Sequence, residues 1–126
     1  MDKQIIPTDA APAPIGPYSQ AVMTNGTLYI SGQVPIDPAT SMVIIGDIEA
    51  ETRQAMLNIG AVLTAYGLSY SNIVKSTIFI RNMGDFPRIN AVYGSFFEKD
   101  YPARETVEVS RLPKDVQIEI SCIAVK

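Results

Sequence analysis

The hydrophobic positions change period several times along the chain, and each change marks an element. Tyr18 to Met23 and Thr27 to Val34 read as two strands. Asn25-Gly26 lies between them, and both residues accept the positive φ that a tight two-residue hairpin turn requires. Pro35 and Pro38 end the ladder, since proline has no N–H to give it. Met42 to Ile45 is a shorter apolar run, predicted as an edge strand. From Asp47 to Tyr66 the period is helical, with Ile48, Ala55, Ile59, Val62 and Tyr66 on one face and Glu49, Arg53 and Asn58 off it. Asp47 suits an N-cap and Gly67 a helix stop. Ile73 to Ile80 is β-branched and apolar, a strand.

A second helix is predicted from Asp85 to Glu98, with Phe86, Ile89, Tyr93, Phe96 and Phe97 as its stripe and Pro87 tolerated in the first turn. Two strands close the chain, Glu105 to Ser110 and Val116 to Val125, joined by the turn Leu112-Pro113-Lys114-Asp115. This order fits a mixed sheet with two helices on one face, an α+β layer fold. A symmetric last hairpin about Pro113-Lys114 sets position 108 opposite 119 and 104 opposite 123. Arg104 and Glu119 then stand roughly 13 Å apart along the strands, so one chain is not expected to bring both to a small ligand.

At 126 residues the chain is one domain, residues 1–126, large enough to hold its own core. The absence of histidine changes the picture most. It excludes a Ser-His-Asp triad, a Cys-His pair and any histidine-ligated metal, so acid-base chemistry falls to Asp, Glu, Lys, Tyr, Cys or water. The single Cys122 can form no intramolecular disulfide, which fits a reducing compartment. Without a histidine to activate it, it reads as a buried structural thiol.

The net charge of −3 and the singly scattered Lys and Arg argue against nucleic acid as a main partner. The start, Met1-Asp2-Lys3-Gln4, has no basic region leading into a long apolar stretch, and no apolar run approaches the ~20 residues of a membrane span. A cytoplasmic location is expected. Charged residues make up 18%, below the ~25% of typical soluble domains, which leans toward surface hidden against copies of the same chain.

Two side chains are candidates for chemistry. Arg104 leaves a strand entry set by Pro102, and its planar fork matches a carboxylate in bidentate fashion. The alternative is a surface arginine paired with Glu105 or Glu108. Glu119 interrupts an apolar strand on the face of Ile123 and Val125. It is either an edge-strand charge that discourages aggregation or a partly buried carboxyl whose pKa rises into the range useful to a general acid-base. Tyr18, Ser31 and Asn90 carry weaker signals, read on their own as a core tyrosine, a strand bulge and a solvent-facing helix residue.

Together these stretches resemble the RidA (reactive intermediate deaminase) branch of the YjgF family. The likeness runs end to end through Ala13 to Ala21, Ile30 to Pro35, Ile89 to Tyr93, Pro102-Ala103-Arg104, Val107 to Val109, Arg111 to Asp115 and Ile118 to Ile120. The resemblance implies a chorismate-mutase-like α+β fold with a sheet of about six strands and two helices on one face. It implies a homotrimer with ligand clefts between subunits, and no metal or organic cofactor. The implied activity is hydrolysis of enamines and imines such as 2-aminoacrylate to a 2-keto acid and ammonia. That is the reaction of a 2-iminobutanoate/2-iminopropanoate deaminase.

Residue by residue, the resemblance assigns carboxylate binding to Arg104 and water positioning to Glu119. Tyr18, Ser31 and Asn90 become pocket residues. Thr106 stands where many members carry cysteine, at a position that acts through its backbone. A non-catalytic trimer that senses a keto acid through the same pocket is the alternative, and needs no proton carrier at Glu119.

Overall fold

The computed structural model describes all residues, Met1 to Lys126. Nine regular elements follow the order β1 (Ala21–Thr24), β2 (Thr27–Gln33), β3 (Ile36–Asp37), β4 (Met42–Val43), α1 (Ile48–Ala65), β5 (Ile73–Ile80), α2 (Phe86–Gly94), β6 (Ala103–Glu108) and β7 (Ile118–Val125). No helix is long and apolar enough to cross a membrane.

Local chemistry explains most of the boundaries. Asn25 and Gly26 adopt φ of 50° and 75°, and the β1–β2 hairpin closes on them. Asp47 caps α1 by accepting from the Glu49 N–H, and Gly67 ends it at φ 73°. Arg88 on α2 reaches back to Glu49 at 3.0 Å and Asp47 at 3.4 Å, tying the two helix starts together at the surface.

The main sheet has five strands in the order β1-β2-β7-β5-β6. This corrects the expectation of about six. The Met42 region pairs only with Ile36–Asp37 in a separate two-stranded ribbon, because both edges of β2 are already taken by β1 and β7. A second correction concerns the last two strands, which do not form a hairpin. β6 pairs parallel with β5, with Ser76 opposite Arg104, and β7 pairs antiparallel with the other edge of β5. The segment between them passes the end of β5, where Val109 N–H donates to Ile80 and Arg81 N–H to Gln117. The cause is α2. A strand, a helix and a strand returning to the same sheet place the two strands parallel.

One sheet face buries Leu28, Ile30, Ile78, Ile80, Ile118 and Ile120 against Met56, Ile59 and Leu63 of α1 and Ile89 of α2. Each such side chain contributes about 1.5–3 kcal/mol on leaving water. Glu51, a buried carboxylate of α1, fixes the entry to β7. Its two oxygens accept from the Gln117 backbone N–H at 2.9 Å and the Gln117 side-chain amide at 2.6 Å. The other sheet face carries no helix. Tyr29 and Val125 are left 49% and 42% exposed there, beside Ile123, Thr77 and Ser121.

Candidate functional site

Glu119 sits opposite Phe79 on β5 and points to the helix-free face, since Ile118 and Ile120 on either side of it point into the core. A bulge in β2 makes room for it. Ile30 pairs with Cys122 and Gln33 with Ile120, so an extra residue is accommodated around Ser31-Gly32. A Cβ placed on Gly32 would lie 2.5 Å from Glu119 Oε2 and 2.6 Å from its Cδ. Only glycine lets the carboxylate lie against the strand there. Burial raises the Glu119 pKa above the usual carboxylate value, and no residue of the chain donates a hydrogen bond to it.

Glu119 lines a cleft of about 70 Å³ with Tyr18, Gly32, Gln33, Val34 and Lys114. Tyr18 is not the core residue its context favoured; it is 52% exposed, and its hydroxyl accepts from the Ile15 N–H at 3.4 Å. Gln20 holds the lead-in that walls this cleft, donating to Thr8 and Pro12 carbonyls at 3.0 and 2.9 Å. Ser31 is committed to the bulge. Its hydroxyl donates to the Ser19 carbonyl at 2.6 Å. Lys114 and Asp115 at the rim adopt φ of 59° and 56°, a left-handed pair held by the Arg111–Asp115 contact at 2.9 Å.

Arg104 belongs to the opposite face. It lies beside Ser76, and Ser76 in turn beside Cys122, both buried under the helices. The guanidinium makes no hydrogen bond or ion pair within the chain. The acids once available to it are engaged elsewhere: Glu105 with Lys75 at 3.2 Å and the Thr77 hydroxyl at 2.6 Å, Glu108 with the Met83 N–H at 2.8 Å. The surface-pair alternative for Arg104 is thereby overturned. Arg104 lines a cleft of about 330 Å³ with Asn90, Tyr93, Gly94, Tyr101 and Pro102. Asn90 is not the solvent-facing residue its mid-helix position favoured. Its Oδ1 and the Thr106 Oγ are buried without a hydrogen-bond partner.

Six sequence-predicted residues thus fall into two sets. Tyr18, Ser31 and Glu119 lie on the helix-free side, while Asn90, Arg104 and Thr106 lie at the α2–β6 edge. One chain does not bring Arg104 and Glu119 together. The reason is that the sheet stands between them, not the axial offset expected from a terminal hairpin. The sequence reading missed Gly32 as the space for Glu119, and Phe86 and Tyr93 as neighbours of Arg104. The latter pair carried a signal, a seven-residue spacing that puts two aromatics on one helix face beside the arginine strand.

Cys122 behaves as the sequence indicated. It is buried, and burial pushes its thiol up to about 11. The thiolate is therefore scarce at neutral pH. The folded protein is expected to leave a thiol reagent such as Ellman's untouched at pH 7.5, and to release one thiol on denaturation. Prompt labelling of the folded protein would contradict this burial.

Residues 8–126 match the family described as endoribonuclease L-PSP. A RutC family protein of Pyrococcus horikoshii is 51% identical over 124 residues, covering 98% of each chain. A Bos taurus protein named 2-iminobutanoate/2-iminopropanoate deaminase is 44% identical, covering 98% of this chain and 90% of its own. The crystal structure of a Rid family protein of unknown function from Yersinia pestis superposes with a TM-score of 0.97 at 48% identity, covering 99% of this chain and 100% of that one. With its α+β architecture and these relatives, the chain belongs to the endoribonuclease L-PSP family, the group that also carries the names YjgF, RutC and Rid.

Proposed function

We propose that the protein hydrolyses reactive imines such as 2-iminopropanoate, the tautomer of 2-aminoacrylate, to a 2-keto acid and ammonia, in clefts between the protomers of a homotrimer. The observation that carries this reading is the pair of incomplete half-sites. One presents a guanidinium with its donors free; the other presents a carboxyl of raised pKa with no partner. They lie on opposite sides of one sheet, which supports a reading in which a second copy supplies the missing half of each site. The helix-free face, with its half-exposed Tyr29 and Val125, is the surface such a copy would cover. The deaminase name of the bovine relative supports the reaction class.

The steps follow from these groups. The enamine first takes a proton on its terminal carbon and releases one from its nitrogen to give the imine. Arg104 binds the substrate carboxylate with parallel N–H donors. Glu119 of the neighbouring protomer accepts a proton from a water as that water's oxygen bonds to the imine carbon. The same proton passes to nitrogen to give a carbinolamine. The carbinolamine hydroxyl then yields its proton to that nitrogen through Glu119 as the C–N bond breaks, its electron pair leaving on ammonia while the carbonyl forms. The net reaction consumes one water. An imine hydrolyses readily by itself, so positioning and one proton carrier suffice.

The test is a coupled assay. A dehydratase that releases 2-aminoacrylate is run with and without the protein, and pyruvate formation is followed. Faster pyruvate release supports the proposal, whereas binding of pyruvate with no acceleration identifies the keto-acid sensor instead. Within this reading Gly32→Ala is expected to displace the Glu119 carboxylate and lower kcat/KM by about 10²-fold, the usual effect of an ångström-scale misplacement, with the oligomer intact. Unchanged kinetics in that variant would show that the close approach is immaterial.

A further inference from the structure

Arg104 is held by aromatic faces alone. Its guanidinium carbon lies 5.1 Å from the Tyr93 ring centroid and 5.5 Å from that of Phe86, both on α2. Tyr93 is itself anchored. Its hydroxyl donates to Ser76 Oγ at 2.8 Å in the core, and Ser76 Oγ lies 3.5 Å from Cys122 Sγ. Behind the ring, Phe97 packs at 5.0 Å. Ser76 is also the register partner of Arg104 on the adjacent strand. The residue that fixes the ring is thus fixed to the same sheet position as the arginine.

From this arrangement we infer that Tyr93, with Phe86, is a positioning residue for the substrate-carboxylate site. It orients the Arg104 fork through its π face while taking none of the fork's N–H donors. The physical argument is a comparison of ways to hold an arginine. A carboxylate partner would consume donors, neutralise the charge and compete with an anionic ligand. An aromatic face attracts the cation and leaves its in-plane N–H groups free. The nearby acids Glu105 and Glu108 are engaged with other groups, so nothing in the chain competes for the fork. The Tyr93–Ser76 hydrogen bond, shielded from water, ties the ring to β5 and so to the strand beside Arg104.

This inference rests on Arg104 binding the substrate carboxylate, and the experiment separates the two claims. Affinity for 2-oxobutanoate is measured by calorimetry, with kcat and KM from the coupled assay, on Arg104→Ala, Tyr93→Leu, Tyr93→Phe and Phe86→Leu. Tyr93→Leu is expected to weaken 2-oxobutanoate binding and raise KM by about 3- to 30-fold, with kcat within about threefold of wild type. Tyr93→Phe keeps the ring and should recover most of the affinity. Phe86 is only half-buried, so Phe86→Leu gives the same reading, a raised KM at near-normal kcat, even if Tyr93→Leu fails to fold. Wild-type affinity and KM in folded Tyr93→Leu or Phe86→Leu, beside a crippled Arg104→Ala, would overturn the positioning role alone. Wild-type behaviour of Arg104→Ala would instead remove the site reading beneath it.

Discussion

Replacing Arg104 with alanine is expected to lower kcat/KM for imine hydrolysis by about 10²- to 10³-fold, the value of losing a bidentate, charge-assisted contact to a small anion. The loss should appear mainly in KM, and affinity for a 2-keto acid should fall in parallel. The fold should tolerate the change. The guanidinium makes no hydrogen bond or ion pair within the chain, so its removal leaves no donor or acceptor stranded. Arg104→Lys should recover part of the activity, because an ammonium keeps the charge but not the planar fork. Equal kcat/KM for Arg104→Ala and wild type would remove this cleft from the reaction.

Glu119→Gln is expected to act on kcat instead, by about 10²-fold or more over the buffer background, with KM little changed. Glutamine fills the same space beside Gly32 but cannot take a proton from water. A pH profile makes the point sharper. In the proposed mechanism the ionised carboxylate is the active base, and burial raises its pKa. Activity must therefore be lost as pH falls through that raised value, at a pH above the ordinary carboxylate range, and be fully present well above it. The acid limb should disappear from the residual rate of Glu119→Gln. A variant that keeps both wild-type kcat and the acid limb would show that another group carries the proton.

Much of this molecule was legible in its residues. The Asn25-Gly26 hairpin, the Asp47 cap, the Gly67 stop and Ile48, Ala55, Ile59 and Val62 of the α1 stripe follow from local chemistry, whereas Asn58, read as lying off that face, is buried and donates to the Val34 and Ile36 carbonyls. The closing strands were not legible. A proline-containing turn between two short strands looks like a hairpin, but α2 forces β6 parallel to β5, and the apolar alternation of β7 suits a central strand. The face chosen by Arg104 was equally hidden. Its strand, Ala-Arg-Glu-Thr-Val-Glu, has no apolar alternation to say which side turns to the core. Register with Ser76 decides it, and register is a property of the assembled sheet.

The same point explains what the residue types could and could not say about the site. An arginine after Pro-Ala and a glutamate in an apolar strand stand out by type. The glycine that clears space for one and the aromatics that carry the other do not, because Gly32 reads as a strand break and Phe86 and Tyr93 read as core. Their roles arise from contacts between elements distant in sequence.

Central to this account is a site completed by two protomers, and subunit mixing tests it most directly. Arg104→Ala and Glu119→Gln are each expected to be weak alone. They are to be mixed, exchanged under mild denaturant and refolded, with mixed oligomers confirmed by native mass spectrometry. If each site takes Arg104 from one protomer and Glu119 from its neighbour, random mixing restores about one quarter of the sites to wild-type composition. Activity should rise to that level. If mixed oligomers form and activity stays at the mean of the two parent variants, the two residues do not meet across the interface, and the account is wrong at its centre.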